Sequence, residues 1–266
     1  MALSIASVKK VRSIDPPRIL IYAPPKMGKS TLANEFPNAI NLQLEDGTPG
    51  DMEIDTFGLL QDFGQFHEAF RVLGAEDHDF KTLIVDTVDS LEPMLHAQVC
   101  YENGWGSIDE PEFGKGYTAA ADKWRTVLRW FDGLRKAKGM NIVLLGHADV
   151  KTFSPPGSES YSRYSLRLHH KSASLVYDDM DLIAFINQRA IVKKSDEGFG
   201  KTKTHAEGGG SRWIYTEGRA AFEAGSRYNT PAEQTFDKGR TVDRWAEAGV
   251  PIAGYVKPEK AKSPTP

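Results

Sequence analysis

The chain is predicted to fold as an α/β protein: a mostly parallel sheet flanked by helices, with a β-hairpin toward its C-terminal end. Three observations predict it. Short apolar runs recur at residues 19–22, 83–85, 142–145 and 182–186, and such runs form strands covered on both faces. Helical spacing lies between them, as the right-handed crossovers of a parallel sheet require. The first run also breaks at Pro24-Pro25 into a tight loop and then a helix-forming run, RILIYAPPKMGKST over residues 18–31. Strand, loop and helix in that order are the context of a phosphate-binding loop.

Residues 1–17 read as an N-terminal arm ending in Pro16-Pro17, ahead of a core over 18–231 and a C-terminal helix and disordered tail over 232–266. Within the core, Lys29–Phe36 is a brief helix stopped by Pro37. Ala39–Leu44 alternates as a strand, and residues 45–62, with six acids and no lysine or arginine, have the composition of a solvated loop. Gln65–Leu73 has helical spacing and ends at Gly74. Lys81–Asp86 is a buried strand ending in a carboxylate, and residues 87–101 continue as a helix. The glycine-rich stretch 103–116 forms a surface excursion. Tyr117–Lys138 carries an apolar stripe of Trp124, Val127, Leu128, Phe131 and Leu134, read as core packing, and Gly139 closes it.

Asn141–Leu145 is a buried strand followed by Gly146-His147. Residues 148–171 read as a loop too long to be mere connection in a compact domain, and therefore functional. Leu182–Ile186 is a further strand, and Gln188–Lys194 is expected to pair with Arg212–Thr216 as a hairpin over 188–216.

The chemistry gathers at strand ends. The loop residues Ala23, Pro24, Pro25, Lys26 and Met27 lead to Gly28, whose missing side chain lets backbone approach a phosphate. Lys29 would reach the terminal phosphates, Ser30 would ligate Mg²⁺, and Thr31 continues into the helix whose N–H groups face the anion. Ala23 stands where the pattern has its first glycine. Asp86, ending LIVD, suits the second metal-holding carboxylate; alternatively it caps the next helix. Glu45 ends the strand after the loop helix, where it suits a water-positioning acid, with Asp46 beside it as the alternative. His147 at its strand end is placed to sense a γ-phosphate, or else is a histidine bonded locally.

Composition removes other classes. Apolar residues make up 40% and charged residues 26%, the proportions of a globular protein. A formal net charge of −3 offers no global basic field, so a nucleic-acid partner must meet a local patch. The single cysteine, Cys100, leaves no internal disulfide and no cysteine-based zinc site. With no apolar run long enough to span a bilayer, a cytoplasmic protein without membrane contact is expected.

With these residues placed, the sequence resembles the RecA-like P-loop ATPases. More narrowly, it resembles phage-encoded nucleotide-binding proteins that include ATP-dependent single-strand-annealing recombinases. The resemblance spans residues 18 to about 231 and rests on YAPPKMGKST, LEDG, TLIVDT, FGKGY, LLGH, the YSRYSLRLHHK…DDMDLIAFIN run and SRYNTP. It implies ATP and Mg²⁺ as ligands, Glu45 as catalytic base, Asp86 as the Walker B residue and His147 as sensor. It also implies a homo-oligomeric ring or filament in which a basic residue, here Arg227, reaches a neighbour's ATP site. The lysine often found two residues before that arginine is Gly225, and an ion pair with a local acid such as Glu223 is the alternative for Arg227.

Residues 151–171 carry Lys151, Arg163, Arg167 and Lys171 against the single acid Glu159, with Phe153, Tyr161 and Tyr164 interleaved and His169-His170 close by. Cations that follow a backbone and aromatics that stack on bases are what single-stranded DNA binding uses, so Lys151, Arg163, Tyr164, Arg167 and Lys171 are the candidate DNA contacts. Lys193, Lys194, Lys201, Lys203 and Arg212 form a second basic patch. The leading expectation is an ATPase that assembles on single-stranded DNA, with a single-strand-binding protein as a further partner, and promotes annealing or strand pairing. A nucleotide-switched loader or accessory factor for a replication protein is the alternative. A small-molecule kinase fits less well, because no arginine-rich lid follows the core.

Overall fold

The computed structural model describes residues 8, 10, 15–47, 50, 52–157, 159–189, 191–196, 202–207 and 210–257, the side chains of 191–196 and 202–207 excepted. Most of the N-terminal arm, the tail from residue 258 and the side chains of Lys193, Lys194, Lys201 and Lys203 therefore lie outside the described residues.

The chain opens with β1 (Arg18–Ala23), α1 (Lys29–Ala33), β2 (Ala39–Gln43), β3 (Asp55–Leu59) and α2 (Phe63–Ala75). There follow β4 (Thr82–Asp86), α3 (Val88–Asn103), α4 (Lys115–Lys138), β5 (Asn141–Phe153), β6 (Tyr161–Leu166) and α5 (His170–Asp179). The last part holds β7 (Leu182–Gln188), β8 (Ile191–Asp196), β9 (Thr202–Glu207), β10 (Arg212–Tyr215), β11 (Gly225–Ser226), β12 (Glu233–Thr235) and α6 (Thr241–Glu247).

The main sheet runs β12-β10-β7-β1-β5-β4-β2-β3, parallel from β7 to β3 and antiparallel at the β10 and β12 edge. This is the RecA-like P-loop arrangement, with β5 standing between the strand of the phosphate loop and the strand of Asp86. Side chains alternate along each central strand with the period of two. Leu20, Tyr22, Leu83, Val85, Ile142 and Leu144 face one layer, which includes Phe66, Leu95, Trp124 and Phe131 from α2, α3 and α4. Ile19, Ile21, Ile84, Val143 and Leu145 face the other, with Leu32 from α1 and Trp245 from α6. The stripe on α4 is core packing, with Trp124, Val127 and Phe131 fully buried. Among the described residues no helix is long and apolar enough to cross a membrane.

Three expectations change. The acidic stretch 45–62 is not loop throughout: Asp55–Leu59 adds a parallel edge strand to β2, with all five residues exposed. An edge strand without a buried face has no apolar alternation to announce it. Residues 148–171 are not a loop either. β5 continues to Phe153, pairs antiparallel with β6 from Ala148↔Leu166 to Phe153↔Tyr161, and the chain enters α5 at His170. These strands form an arm solvated along its outer part, so their polar alternation, HADVKTF and YSRYSL, looks like loop. At the C-terminal hairpin, Gln188 does pair with Arg212, but as part of a β7–β10 ladder. Residues 191–196 instead fold back on 202–207 as a separate hairpin.

Candidate nucleotide site

The site is built where the parallel strands end. Ala23 pairs with His147 and Asp86 with Leu145, so the end of β5 places His147 between the loop and Asp86. Ala23 itself is fully buried among the apolar residues of the α1 layer. Gly28 has a φ of +94° and precedes α1; a Cβ there would lie 2.5 Å from Phe236 Cε1 and 2.8 Å from Arg212 Nη1. Glycine is thus required both by the left-handed backbone and by the close approach.

Lys29 is only 6% exposed. Burial pushes its pKa down, and the carboxylates of Asp86, Asp89 and Glu45 oppose that fall. The Ser30 hydroxyl donates to Asp86 Oδ2 at 2.7 Å. Burial raises the Asp86 pKa and Glu45 adds to the rise, against the Ser30 hydrogen bond and the charges of Lys29 and His147. Lys29, Ser30 and Asp86 therefore come together as the sequence pattern requires. Glu45 Oε2 accepts from Ser90 Oγ at 3.2 Å and lies 3.3 Å from Thr87 Oγ1, whereas Asp46 is exposed.

One acid at this site was not singled out from the sequence. Asp89, in the first turn of α3, accepts the His147 backbone N–H on Oδ1 and the ring Nδ1–H on Oδ2, both at 2.8 Å. Burial opposes its ionisation, but these bonds and the histidine hold its pKa below the ordinary value. Ligand-capable atoms of Glu45, Asp89 and His147 all lie within 4.8 Å of one another.

Beside the loop lies a cavity of about 600 Å³, with Thr31, Asn34, Asp55, Arg212, Phe236 and Lys238 among its lining. The Arg212 guanidinium lies over the Phe236 ring, 4.6 Å from its centroid, and donates to the Met27 carbonyl at 3.2 Å. Arg212 entered the sequence reading only as part of a basic patch, and Phe236 not at all.

The candidate DNA residues fall on the β5–β6 arm and the start of α5, and each that carries charge has a partner within the chain. Arg163 pairs with Glu223 at 2.7 Å and lies over Phe153, and Lys151 donates to the Leu168 carbonyl at 2.9 Å. Lys171 donates to Thr118 Oγ1, and Arg167 pairs with Asp149 at 3.1 Å. Tyr164 is half-buried against Phe185, packing that leaves its ring a core contact. Arg227 lies apart from all these groups. It is hydrogen-bonded at 2.8 Å to Asp181, just before β7, at the amino-terminal end of the parallel strands, whereas the phosphate loop follows the carboxyl end of β1. Glu223, the local acid named as an example of its alternative partner, is taken by Arg163, and Asp181 is the acid that pairs with Arg227.

A crystal structure of the RadB recombinase is similar at 11% identity and a TM-score of 0.40, covering 76% of this chain and 80% of that one. No curated protein matches the sequence. The profile of the AAA domain matches residues 15–228, which take in the phosphate loop, Glu45, Asp86, Asp89 and His147. On that match the chain belongs to the AAA domain family.

Proposed function

We propose that this protein is an ATPase that binds ATP with Mg²⁺, assembles on single-stranded DNA and promotes annealing or strand pairing. The observation that carries the nucleotide part is the meeting of Lys29, Ser30 and Asp86 beneath a left-handed Gly28, with Glu45 among the charges acting on both Lys29 and Asp86. The donor set fits a divalent cation: a hydroxyl and a buried carboxylate whose raised pKa a positive charge would relieve. Held by Ser30 and Asp86, Mg²⁺ would neutralise charge on the phosphates. Lys29 binds the terminal phosphates, and Glu45 orients the attacking water.

The cavity beside Thr31 supports a seat for the nucleoside, with the Arg212–Phe236 stack as one wall. Phe236→Ala is expected to raise KM for ATP about tenfold, within the range set by about 1–3 kcal/mol for a base stacked on an aromatic ring. Because such binding is shared by ground and transition states, kcat should stay within about twofold. Steady-state kinetics checks the split, and a fall in kcat with KM constant speaks against the assignment.

The arm supports the DNA part, since it starts at His147 and presents a cation-rich strand pair with Phe153, 40% exposed, at its outer end. Phe153→Ala should weaken single-strand affinity by about 1–3 kcal/mol. Arg167→Ala with Lys171→Ala should flatten the salt dependence, by about 0.7 in logarithmic slope for each phosphate no longer neutralised. Titrations of labelled oligonucleotide at several salt concentrations measure both, and unchanged binding in both variants moves the DNA surface elsewhere. ATP hydrolysis with and without single-stranded DNA, beside annealing of complementary oligonucleotides, tests the reading as a whole. The alternative, a nucleotide-switched accessory factor for a replication protein, is favoured by Phe113 and Tyr101, 93% and 84% exposed around the 103–116 excursion. Stimulation of hydrolysis by a protein partner and not by DNA would support it.

A further inference from the structure

The network around His147 specifies which ring nitrogen carries a proton. Asp89 is ionised more readily than an ordinary aspartate and takes two bonds from one residue: the backbone N–H of His147 on one oxygen, the ring Nδ1–H on the other. A carboxylate acting as acceptor on both oxygens requires the neutral imidazole to hold its proton on Nδ1. Nε2 is then left with a lone pair. A residue that senses a phosphate oxygen must donate a hydrogen bond, and this tautomer offers no donor at Nε2. The arrangement suits a proton acceptor instead.

We infer that Asp89 is a positioning residue that orients His147 and fixes its tautomer, so that His147 Nε2 takes the proton of the hydrolytic water in the ATPase reaction proposed above. As the water oxygen bonds to the γ-phosphorus and the bond to the leaving ADP oxygen breaks, one water proton passes to Nε2. The imidazolium so formed is held by the Asp89 carboxylate and returns its proton to solvent. The inference rests on the ATPase reading and adds to it: Glu45 orients the water, and His147 accepts its proton.

The charged groups around His147 come from five of the elements around it. Asp89 is on α3, Glu45 follows β2, Asp86 ends β4 and Lys29 opens α1. Arg167, whose backbone N–H donates to the His147 carbonyl at 2.8 Å, follows β6. Asp89 is the one of these bonded directly to the ring.

Nitrogen-15 NMR of the histidine rings in the full-length protein, with His147→Gln to assign the signal, reads the tautomer without any substitution of Asp89. The Nδ1–H form is expected, and the Nε2–H form in the wild type overturns the inference. Asp89→Asn places an amide N–H against Nδ1 and should move the ring proton to Nε2. It should also lower kcat by about 10²-fold or more with KM for ATP within about twofold, the range of a positioned acid–base group. His147→Gln retains a donor but no base, so a loss of similar size supports the proton acceptor, while near-normal turnover identifies a sensor and overturns it. An Asp89→Asn protein whose kcat equals that of the wild type overturns the inference alone. Absence of ATP hydrolysis in the wild type overturns the ATPase reading and this inference with it.

Discussion

Lys29→Ala is expected to reduce ATP hydrolysis to background and to abolish nucleotide binding, with no loss of thermal stability. The first effect follows from the position of the side chain, at the start of the loop helix beside Ser30 and Asp86. The second follows from its burial. Lys29 is nearly inaccessible, and desolvation lowers its pKa despite three neighbouring carboxylates. A lysine whose pKa falls on folding destabilises the native state while it is charged in both states. That penalty is fully present below the lowered folded pKa and is relieved as pH rises from there toward the unfolded value. Stability accordingly rises with pH in that interval, because the unfolded chain binds more protons. Removing the side chain removes the penalty, so the variant should melt at or above the wild-type temperature at neutral pH. Nucleotide should raise the melting temperature of the wild type alone, as a ligand binding only the native state must. Calorimetry with and without ATP and Mg²⁺ checks both, and nucleotide-dependent stabilisation of Lys29→Ala would remove the phosphate-loop assignment.

Glu45→Gln should keep ATP affinity within a few-fold and lower turnover by roughly 10²-fold or more, the scale of positioned acid–base groups. The amide keeps the size of the side chain and an acceptor for Ser90 while removing the negative charge. Asp46→Asn, at an exposed position outside this hydrogen-bond network, should leave turnover nearly unchanged. The same variant tests whether sites are shared between copies. Arg227 is 60% exposed and stands at the amino-terminal end of the parallel strands, away from its own phosphate loop, so a role in hydrolysis requires a neighbouring copy's nucleotide. As an arginine finger offered in trans it would be worth about 10³–10⁵ in rate. Arg227→Ala mixed with Glu45→Gln should regain part of the activity that neither has alone, measured as hydrolysis in the mixture. A mixture that stays inactive while the proteins co-assemble rejects the shared site.

The central strands were legible because both of their faces are buried. LIVD and NIVLLGH are apolar almost to their ends, and the polar residue that terminates each, Asp86 or His147, stands out against the run before it. The site residues on those ends, Asp86 and His147, could be placed for the same reason. Strands with a wet face left no such trace: Asp55–Leu59 is wholly exposed, and the outer part of β5 is solvated. Asp89 was hidden by distance along the chain. Its two bonds reach a histidine 58 positions away, and they exist only because β4 and β5 lie side by side. The Arg212–Phe236 stack depends on a still longer return, with Arg212 reaching Met27 across 185 positions. Helix spacing and strand alternation are local signals and do not register such meetings.

β5 is also a mechanical part. It leaves the sheet at His147 and runs on to Phe153 as one strand, with no break between the nucleotide pocket and the arm. At about 3.3 Å per residue, the six residues from Ala148 to Phe153 span about 20 Å. Asp89 clamps the inner end at both backbone and ring, while the outer end projects into solvent. That geometry is a lever with its fulcrum at the His147 end of the strand. A tilt that moves the clamped residue by a fraction of its own width is magnified at the tip, and a load on the tip is returned, reduced in travel and increased in force, to His147.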